Sequence, residues 1–579
     1  MTCESITVAQ RIAFALKRHG VEIIFAQSLP SAVILAAEAI GIRQVAYRQE
    51  NMGGAMADGY ARASGRIAVV AAQNGPAATL LVPPLAEAYK ASIPVVALVQ
   101  EVERPQVDRN AFQELDQIAL FSSCAKSVRR MLTADRVDDY VDGAFVAAGS
   151  GRPGPAVLLL PADLLREIAP LSRSQRTIRY GTWPIDRTRP SQDAIERAAD
   201  LIATARAPVL IAGGGAMSEG GAAALSRLQE LAHLPVFTTN MGKGSVDEFH
   251  PLSCGVLGAL NGPGSLGRRT RPLLDEADVV VLVGTRTNQN GTDSWRLIPS
   301  SAQLIHIDID PQEIGRNYQA LRLVGDATST IDALCDALKT CDLDQRKSQR
   351  VELEGRIAAA WHAFNVDRAA LIASAGALIR PEQIMQALQD LLTPETTVVA
   401  DASYSSMWVV GQLRALRAGM RFITPRGLAG LGWGMPLAIG AKLASPNHPV
   451  VTIVGDGGFA HSWAEIETIV RSHIAVVIIV INNGVLGYQK DAETVKFGRA
   501  TTACRLGRVS HAEIAQACGC AATQIDAPDD LAFTLKAAIE SAGPWLIDVI
   551  SCKDAHPPLS LFDGTLVRDH AGDQSLSTC

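Results

Sequence analysis

What this 579-residue sequence lacks narrows it first. Its longest uninterrupted apolar run, Ile474–Ile481, is eight residues, against the roughly 20 that a membrane-spanning helix needs. There is no Lys/Arg stripe, and 53 basic against 59 acidic residues leave a net charge of −6. That balance argues against nucleic acid or a membrane surface as a partner. Cysteine pairs at metal-binding spacing are also missing. The ten cysteines are scattered, with Cys518 and Cys520 the only close pair, so reduced, mostly buried thiols in a cytoplasmic protein are expected and a zinc site is not. The opening residues, "MTCESITVAQRIAFALKRHG", carry neither a basic n-region nor a long apolar h-region and read as a capped amphipathic helix, not a signal peptide.

What is there reads as an α/β protein. Hydrophobic residues make up 48% and charged residues 19%, and the length implies about three or four domains. Short β-branched runs alternate with helix-length segments in three blocks, which predicts three doubly wound parallel sheets with both faces covered. The first block, 1–170, holds "VEIIFAQ", "QVAYRQ", "RIAVVAAQNG", "IPVVALVQE" and "GPAVLLLPAD". A polar linker rich in Pro, Arg and Ser leads to the second, 190–342, with "APVLIAGGGAM", "LPVFTTN", "ADVVVLVGTR" and "AQLIHIDIDP". A charged helical segment then precedes the third, 369–555, with "TTVVADASYSS", "PVVTIVGDGG", "IAVVIIVINN" and "PWLIDVI". In such sheets ligands bind beyond the carboxyl ends of strands.

Two of those ends carry chemistry. "VGDGGFAHSW" closes a strand with Gly455, Asp456, Gly457 and Gly458, and 24 residues lie between Gly457 and Asn482, enough for a helix and a return strand. That crossover brings Asp456 and Asn483 to neighbouring strand ends. A carboxylate, an amide oxygen, a backbone carbonyl and diphosphate oxygens make a hard six-coordinate shell suited to Mg²⁺. Glycines let the backbone close on a diphosphate, whose charge the following helix N-terminus favours. Gly-Asp-Gly alone is also a common structural turn. Followed at this spacing by Asn-Asn, it resembles the binding motif of the thiamine-diphosphate enzymes.

The resemblance extends along nearly the whole chain. "YRQENMGGAMADGYARASG" resembles the family segment with the activating glutamate, which falls on Glu50. A glutamic acid at the cofactor's pyrimidine N1′ favours the imino tautomer, whose exocyclic nitrogen can remove the thiazolium C2 proton. In "RGLAGLGWGMPLAIGAKLA" the resemblance assigns the Ala429 carbonyl to the aminopyrimidine and Leu431 to the wedge between the two rings. In "DASYSS" it assigns diphosphate contacts to Ser403, Tyr404 and Ser405. It puts a metal-binding carbonyl at Val485 and Leu486 against the cofactor. Gln27, Asn74, Phe112 and Gln113 should surround the reacting carbon, Gln113 in a catalytic role; amides there orient a carbonyl without acting as acids or bases.

Within the family the chain is most similar to the acetohydroxyacid (acetolactate) synthase branch, through "NAFQELDQ", "SGRPGPAVLLLPAD", "GKGSVDEFHPLSCGVLG", "HIDIDPQEIGRN" and "LVGDA". That likeness implies small carbonyl substrates and a homodimer or homotetramer, with Glu50 acting across a subunit interface. It breaks where Asn290 replaces an arginine that grips the 2-ketoacid carboxylate, Ala492 a channel tryptophan, and Ala162 a lysine. "GALNGPGS" differs from the stretch that lies along a flavin. FAD therefore stays open: Gly213–Gly215, Arg286, Asp308 and Asp310 can line a dinucleotide groove, and "GGG" is equally a close-packed strand–helix turn. The expected function is an acetolactate-synthase-like transferase. The alternatives are a decarboxylase or carbon–carbon lyase acting on an unusual diketone or aldehyde and, from another class, a regulatory paralogue without turnover, against which the joint presence of Glu50, Asp456 and Asn483 argues.

Overall fold

A computed structural model of the chain describes residues 6–170, 176–376 and 378–562. It contains three six-stranded parallel sheets. In spatial order the first is Arg43–Val45, Ile23–Ala26, Ala68–Ala72, Val95–Glu101, Ala156–Pro161 and Ser127–Arg130. The third runs Phe422–Ile423, Thr397–Ala400, Val450–Gly455, Val477–Asn482, Trp545–Ile550 and Ala521–Ile525. Numbered along the chain within each sheet, both have the order 2-1-3-4-6-5, so the similar rhythm of the first and third blocks becomes the same topology. The central sheet differs. Ser253–Val256, Val236–Thr238, Pro208–Ala212, Val279–Val283, Gln303–Asp308 and Leu321–Val324 give 3-2-1-4-5-6.

The inner strands are apolar end to end because helices cover both faces of each sheet, while edge strands such as Ser127–Arg130 and Ala521–Ile525 carry polar, partly exposed residues. Val477–Asn482 is buried at every residue, which parallel sheets require and half-exposed antiparallel ones do not. The first helix is Val8–Arg18, opened by a capping box in which Thr7 accepts from the Gln10 amide and the Gln10 side chain accepts from that of Thr7. The charged segment between the second and third sheets is one helix, Asp344–Ala373.

One core joins the first and third sheets. Helix Glu50–Ser64 packs on helix Gly434–Ala444, and Met52, Met56 and Tyr60 share an apolar cluster with Met435, Leu437 and Ile439. Glycine sets the distance. A Cβ on Gly59 would lie 2.1 Å from the Leu437 carbonyl oxygen, and one on Gly440 1.9 Å from that of Met56, so neither tolerates a side chain without separating the helices. The eight cysteines among the described residues are all free thiols. No helix of the described residues is long and apolar enough to cross a membrane.

Candidate active site and interdomain cleft

The carboxyl edge of the third sheet gathers four loops. Strand Val450–Gly455 runs straight into the helical turn Asp456–Phe459. Asp456 is buried, and its carboxylate accepts from the Gly457 amide at 2.8 Å and the Gly484 amide at 2.7 Å. Burial raises its pKa while those amide bonds pull the other way. Asn483 follows the neighbouring strand, its Oδ1 accepting from the Val485 amide at 3.1 Å. The loops touch at their glycines: a Cβ on Gly457 would meet Leu486 Cδ2 at 2.6 Å, and one on Gly455 would lie 3.7 Å from Ser405 Oγ. Ser403, Ser405, Gly455–Gly458, Asn483, Val485 and Leu486 are thus brought to one place by one chain. Tyr404 belongs to the same cluster, but its hydroxyl donates to Asp491 Oδ2 at 2.6 Å.

Asp401 organises this edge, and sequence reasoning missed it. Fully buried just beyond Thr397–Ala400, it accepts from the amides of Gly432, Trp433 and Gly434 at 2.9, 3.0 and 3.1 Å. Burial raises its pKa against the pull of those bonds. The carboxylate therefore anchors the loop that carries Ala429 and Leu431. Its only mark in the sequence was an Asp directly after a strand, in "DASYSS". Ser403 and Ala429 both have left-handed backbones, at φ +64° and +61°. Such conformations cost a non-glycine residue about 1–3 kcal/mol and concentrate at functional sites.

The corresponding edge of the first sheet carries Gln27, Glu50, Asn74, Phe112 and Gln113. Gln27 Nε2 donates to the Arg48 carbonyl at 3.2 Å, beside Glu50, the first residue of its helix. Asn74 Nδ2 donates to the Gln113 carbonyl at 3.0 Å, and Gln73 Nε2 to Gln113 Oε1 at 2.9 Å. Gln113 is a third left-handed residue, at φ +62°. Glu50 is half-buried and makes no hydrogen bond or ion pair with the described residues. Phe112, expected beside the reacting carbon, is 85% exposed within the chain.

Within the chain no hydrogen bond or ion pair among the described residues joins Glu50 or Gln113 to the loops of Asp456, Asn483 or Ala429. The first and third domains are linked by other acids. Glu465 accepts from the Arg48 and Gln49 amides at 2.9 and 3.1 Å. Glu87, buried on helix Pro76–Ala91, accepts from Gly427, Leu428 and Ala429 at 2.6, 2.5 and 3.2 Å. Neither acid stood out in the sequence, because an isolated Glu on a helical segment carries no spacing signal.

A separate cleft opens between the central domain and its neighbours. It includes the point where the central strand order reverses, between Pro208–Ala212 and Val279–Val283, where a 3-2-1-4-5-6 sheet offers a crevice for a dinucleotide. Gly214, Gly215, Gly284, Arg286 and Asp308 line it, as does Asn290. A Cβ on Gly213 would stand 2.4 Å from the Gly284 carbonyl oxygen, so the close-packed turn is real as well. Burial, with Glu313 adding to it, pushes the Asp308 carboxyl up to about 7. Asp310, expected in the groove, is not among the residues lining the cleft and pairs with Arg152 at 3.4 Å. Ala259 and Leu260 of "GALNGPGS" also face the cleft.

Two like-ordered sheets flanking a dinucleotide-type sheet, with a Gly-Asp-Gly and Asn-Asn edge, define a class, and comparison with known proteins names it. Residues 6–120 match the N-terminal thiamine pyrophosphate (TPP) binding domain of thiamine pyrophosphate enzymes, 195–334 their central domain, and 401–549 their C-terminal TPP binding domain. The chain belongs to the thiamine pyrophosphate enzyme family. It is 32% identical to a probable acetolactate synthase large subunit of Methanocaldococcus jannaschii, over 94% of this chain and 91% of that one. It is 32% identical to an acetolactate synthase of Arthrospira platensis, over 95% of both. To the chloroplastic acetolactate synthase of Arabidopsis thaliana it is 29% identical, over 94% of this chain and 81% of the other.

Proposed function

We propose that this chain is an acetolactate-synthase-like transferase. It acts on a small carbonyl substrate, releases CO₂ or a leaving fragment, and passes the remaining acyl unit to an acceptor. The observation carrying this reading is the convergence of the Ser403, Ala429, Asp456 and Asn483 loops on one sheet edge. The donor set fits Mg²⁺: the Asp456 carboxylate, the Asn483 amide oxygen and the Val485 carbonyl are hard ligands, too few alone, so diphosphate oxygens complete the shell. Thiamine diphosphate supplies an acidic ring carbon that adds to carbonyl groups. Glu50 holds and returns a proton at the pyrimidine N1′. The Ala429 carbonyl and Leu431 would hold the cofactor's ring portion, and Gln27, Asn74 and Gln113 would orient the substrate carbonyl. Glu50 and the exposed Phe112 meet these loops across the interface of a homodimer, or of a homotetramer built from such dimers.

The cleft at the central switch point we assign to a dinucleotide such as FAD, whose diphosphate the Gly214–Gly215 turn and Arg286 would hold, with Asp308 available for a sugar hydroxyl. The second reading, a decarboxylase or carbon–carbon lyase, draws on Asn290, Ala492 and Ala162, which leave the acceptor without the expected arginine clamp. A desolvated carboxylate without a cationic partner is costly, by some 2–5 kcal/mol when one member of a buried pair is lost. The expected result of supplying pyruvate with a neutral aldehyde of similar size, at equal concentration and with mass spectrometry of products, is a new carbon–carbon bond to the aldehyde. Strong preference for pyruvate as acceptor would restore the plain acetolactate reaction. Products of cleavage alone would support the lyase.

A further inference from the structure

Five arginines line the interdomain cleft, and they fall into two groups. Arg62 lies 2.5 Å from Asp58 and 3.8 Å from Glu87, and Arg152 lies 3.4 Å from Asp310 and from Glu313. Arg286, Arg421 and Arg426 have no carboxylate within ion-pair reach among the described residues. Burial lowers the pKa of all three, that of Arg426 to about 10. Glu313 and Asp308 offset part of the cost at Arg286, and Glu87 part of it at Arg426, but none is close enough for a direct ion pair, and a half-buried guanidinium without one gains when an anion arrives.

Two of these cations come from the third domain. Arg421 Nη1 donates to the Met217 carbonyl at 2.9 Å, which puts it against the Gly214–Met217 turn, on the side of the diphosphate assigned above. Arg426 is tied to the other site. Its Nε is buried without a hydrogen-bond partner, and its Nη2 donates to Ser406 Oγ. The Ser406 hydroxyl donates in turn to the carbonyl of Ser403 at 2.8 Å. Directly after Arg426 come the three amides held by Glu87, the last being that of Ala429. Arg62, another cleft residue, donates to the Thr424 carbonyl at 2.9 Å. One short segment, Thr424–Ala429, is therefore both a wall of the cleft and the support of two strained cofactor-loop residues, Ser403 and Ala429.

We propose that the cleft is an effector site for the thiamine diphosphate site: an anionic nucleotide bound there fixes Arg426, and Arg426 acts as a positioning residue that orders the Ser403 and Ala429 loops. The proposal rests on the dinucleotide reading of the cleft. An anion in the cleft adds a counter-charge to Arg426, which has no direct ion pair among the described residues, and restrains the segment that Glu87 and Arg62 already hold. Coupling between sites is reciprocal, so each ligand should tighten the other by the same factor.

The test is calorimetric titration of thiamine diphosphate, with Mg²⁺, into the full-length protein, alone and with saturating FAD or ADP. Nucleotide should tighten thiamine diphosphate by at least about fivefold, the lower end of usual coupling. Arg426→Gln should abolish that difference, and Arg426→Lys, which keeps the charge, should recover part of it. Thermal melting of each variant separates a folding defect from lost coupling, and Arg421→Gln offers a second variant: it should weaken nucleotide binding while leaving thiamine diphosphate affinity without nucleotide unchanged. If nucleotide binds but thiamine diphosphate affinity is the same with and without it, the coupling is overturned and the dinucleotide reading stands. If neither FAD nor ADP binds the parent protein, the dinucleotide reading fails and the coupling falls with it.

Discussion

Asn74 and Asp456 each follow the third strand of a sheet ordered 2-1-3-4-6-5, yet the two edges are finished differently. Around Asp456 the buried carboxylates are answered by the chain itself. The carboxylates of Asp456 and Asp401 are held by two and three loop amides, and the loops close over Gly457 and Gly458 with no room for a Cβ. Around Asn74 and Glu50 the edge is left open: Glu50 has no partner among the described residues, and Phe112 stands 85% exposed. Leu428, beside Ala429, is 55% exposed as well. Groups that hold a diphosphate must be rigid before it arrives, because ordering them at binding would subtract from affinity. Groups that exchange protons with the cofactor need a dry wall, and here that wall has to come from a second surface.

Glu50→Gln tests the open edge and should have the largest effect. The variant keeps the shape and burial of the parent but cannot share a proton, and general acid–base contributions of this kind are typically about a hundred- to ten-thousand-fold. Cofactor affinity should stay within a few-fold, and hydrogen–deuterium exchange at the cofactor's C2 should slow by the full factor. Equal exchange rates would remove Glu50 from the mechanism and break the division between a holding edge and a reacting edge. Asp456→Asn tests the closed edge. It can still accept the Gly484 amide but loses the charge for the metal, so thiamine diphosphate with Mg²⁺ should bind about a hundredfold or more weaker. Unchanged affinity by calorimetry would show that the carboxylate only closes the turn.

Both edges were legible in the sequence to the extent that they use local spacing. Asp456 and Asn483 sit at adjacent strand ends because a helix and a strand need about the number of residues that separate them. The identical order of the first and third sheets was not legible, since similar rhythm does not fix which strands pair. Glu87, Glu465 and Asp401 were invisible for a related reason. Each works by accepting backbone amides from a loop distant in sequence, 340 residues away for Glu87 and Gly427, and no motif marks such a partner. The left-handed conformations of Ser403, Ala429 and Gln113 went unread as well, because the side chains there are not the Gly or Asn that usually announce them.

The exposed apolar groups give the next prediction. Phe112→Asp puts a charge where a partner surface is needed at a side chain that is 85% exposed, so folding should be little affected. Dimer dissociation should rise by about tenfold or more, as for loss of a buried aromatic anchor, and activity should become dependent on protein concentration. Sedimentation across a dilution series reads both. A variant with the parent's oligomeric state would place Phe112 outside the interface and leave the open edge unexplained.

The smallest effect concerns the cleft, where Asp308 provides a third kind of finish: a carboxyl neither fully saturated nor open. It accepts one amide, from Asp310 at 2.9 Å, and burial with Glu313 nearby pushes it up to about 7, from 3.8. Between those two values the folded protein holds a proton that the unfolded chain has released, so folding stability falls as pH rises from about 4 to 7, by up to about 1.4 kcal/mol per unit, and levels off above 7. Binding follows the same sign. Protonated, Asp308 donates a hydrogen bond to an anionic nucleotide or its sugar; ionised, it repels the charge that Arg286 and Arg421 attract. FAD or ADP should therefore bind a few-fold less tightly at pH 8 than at pH 6, and Asp308→Asn should flatten that dependence while retaining the affinity seen at low pH. If the variant keeps the parent's full pH dependence, the titrating group lies elsewhere and Asp308 is a structural acid closing its own strand end.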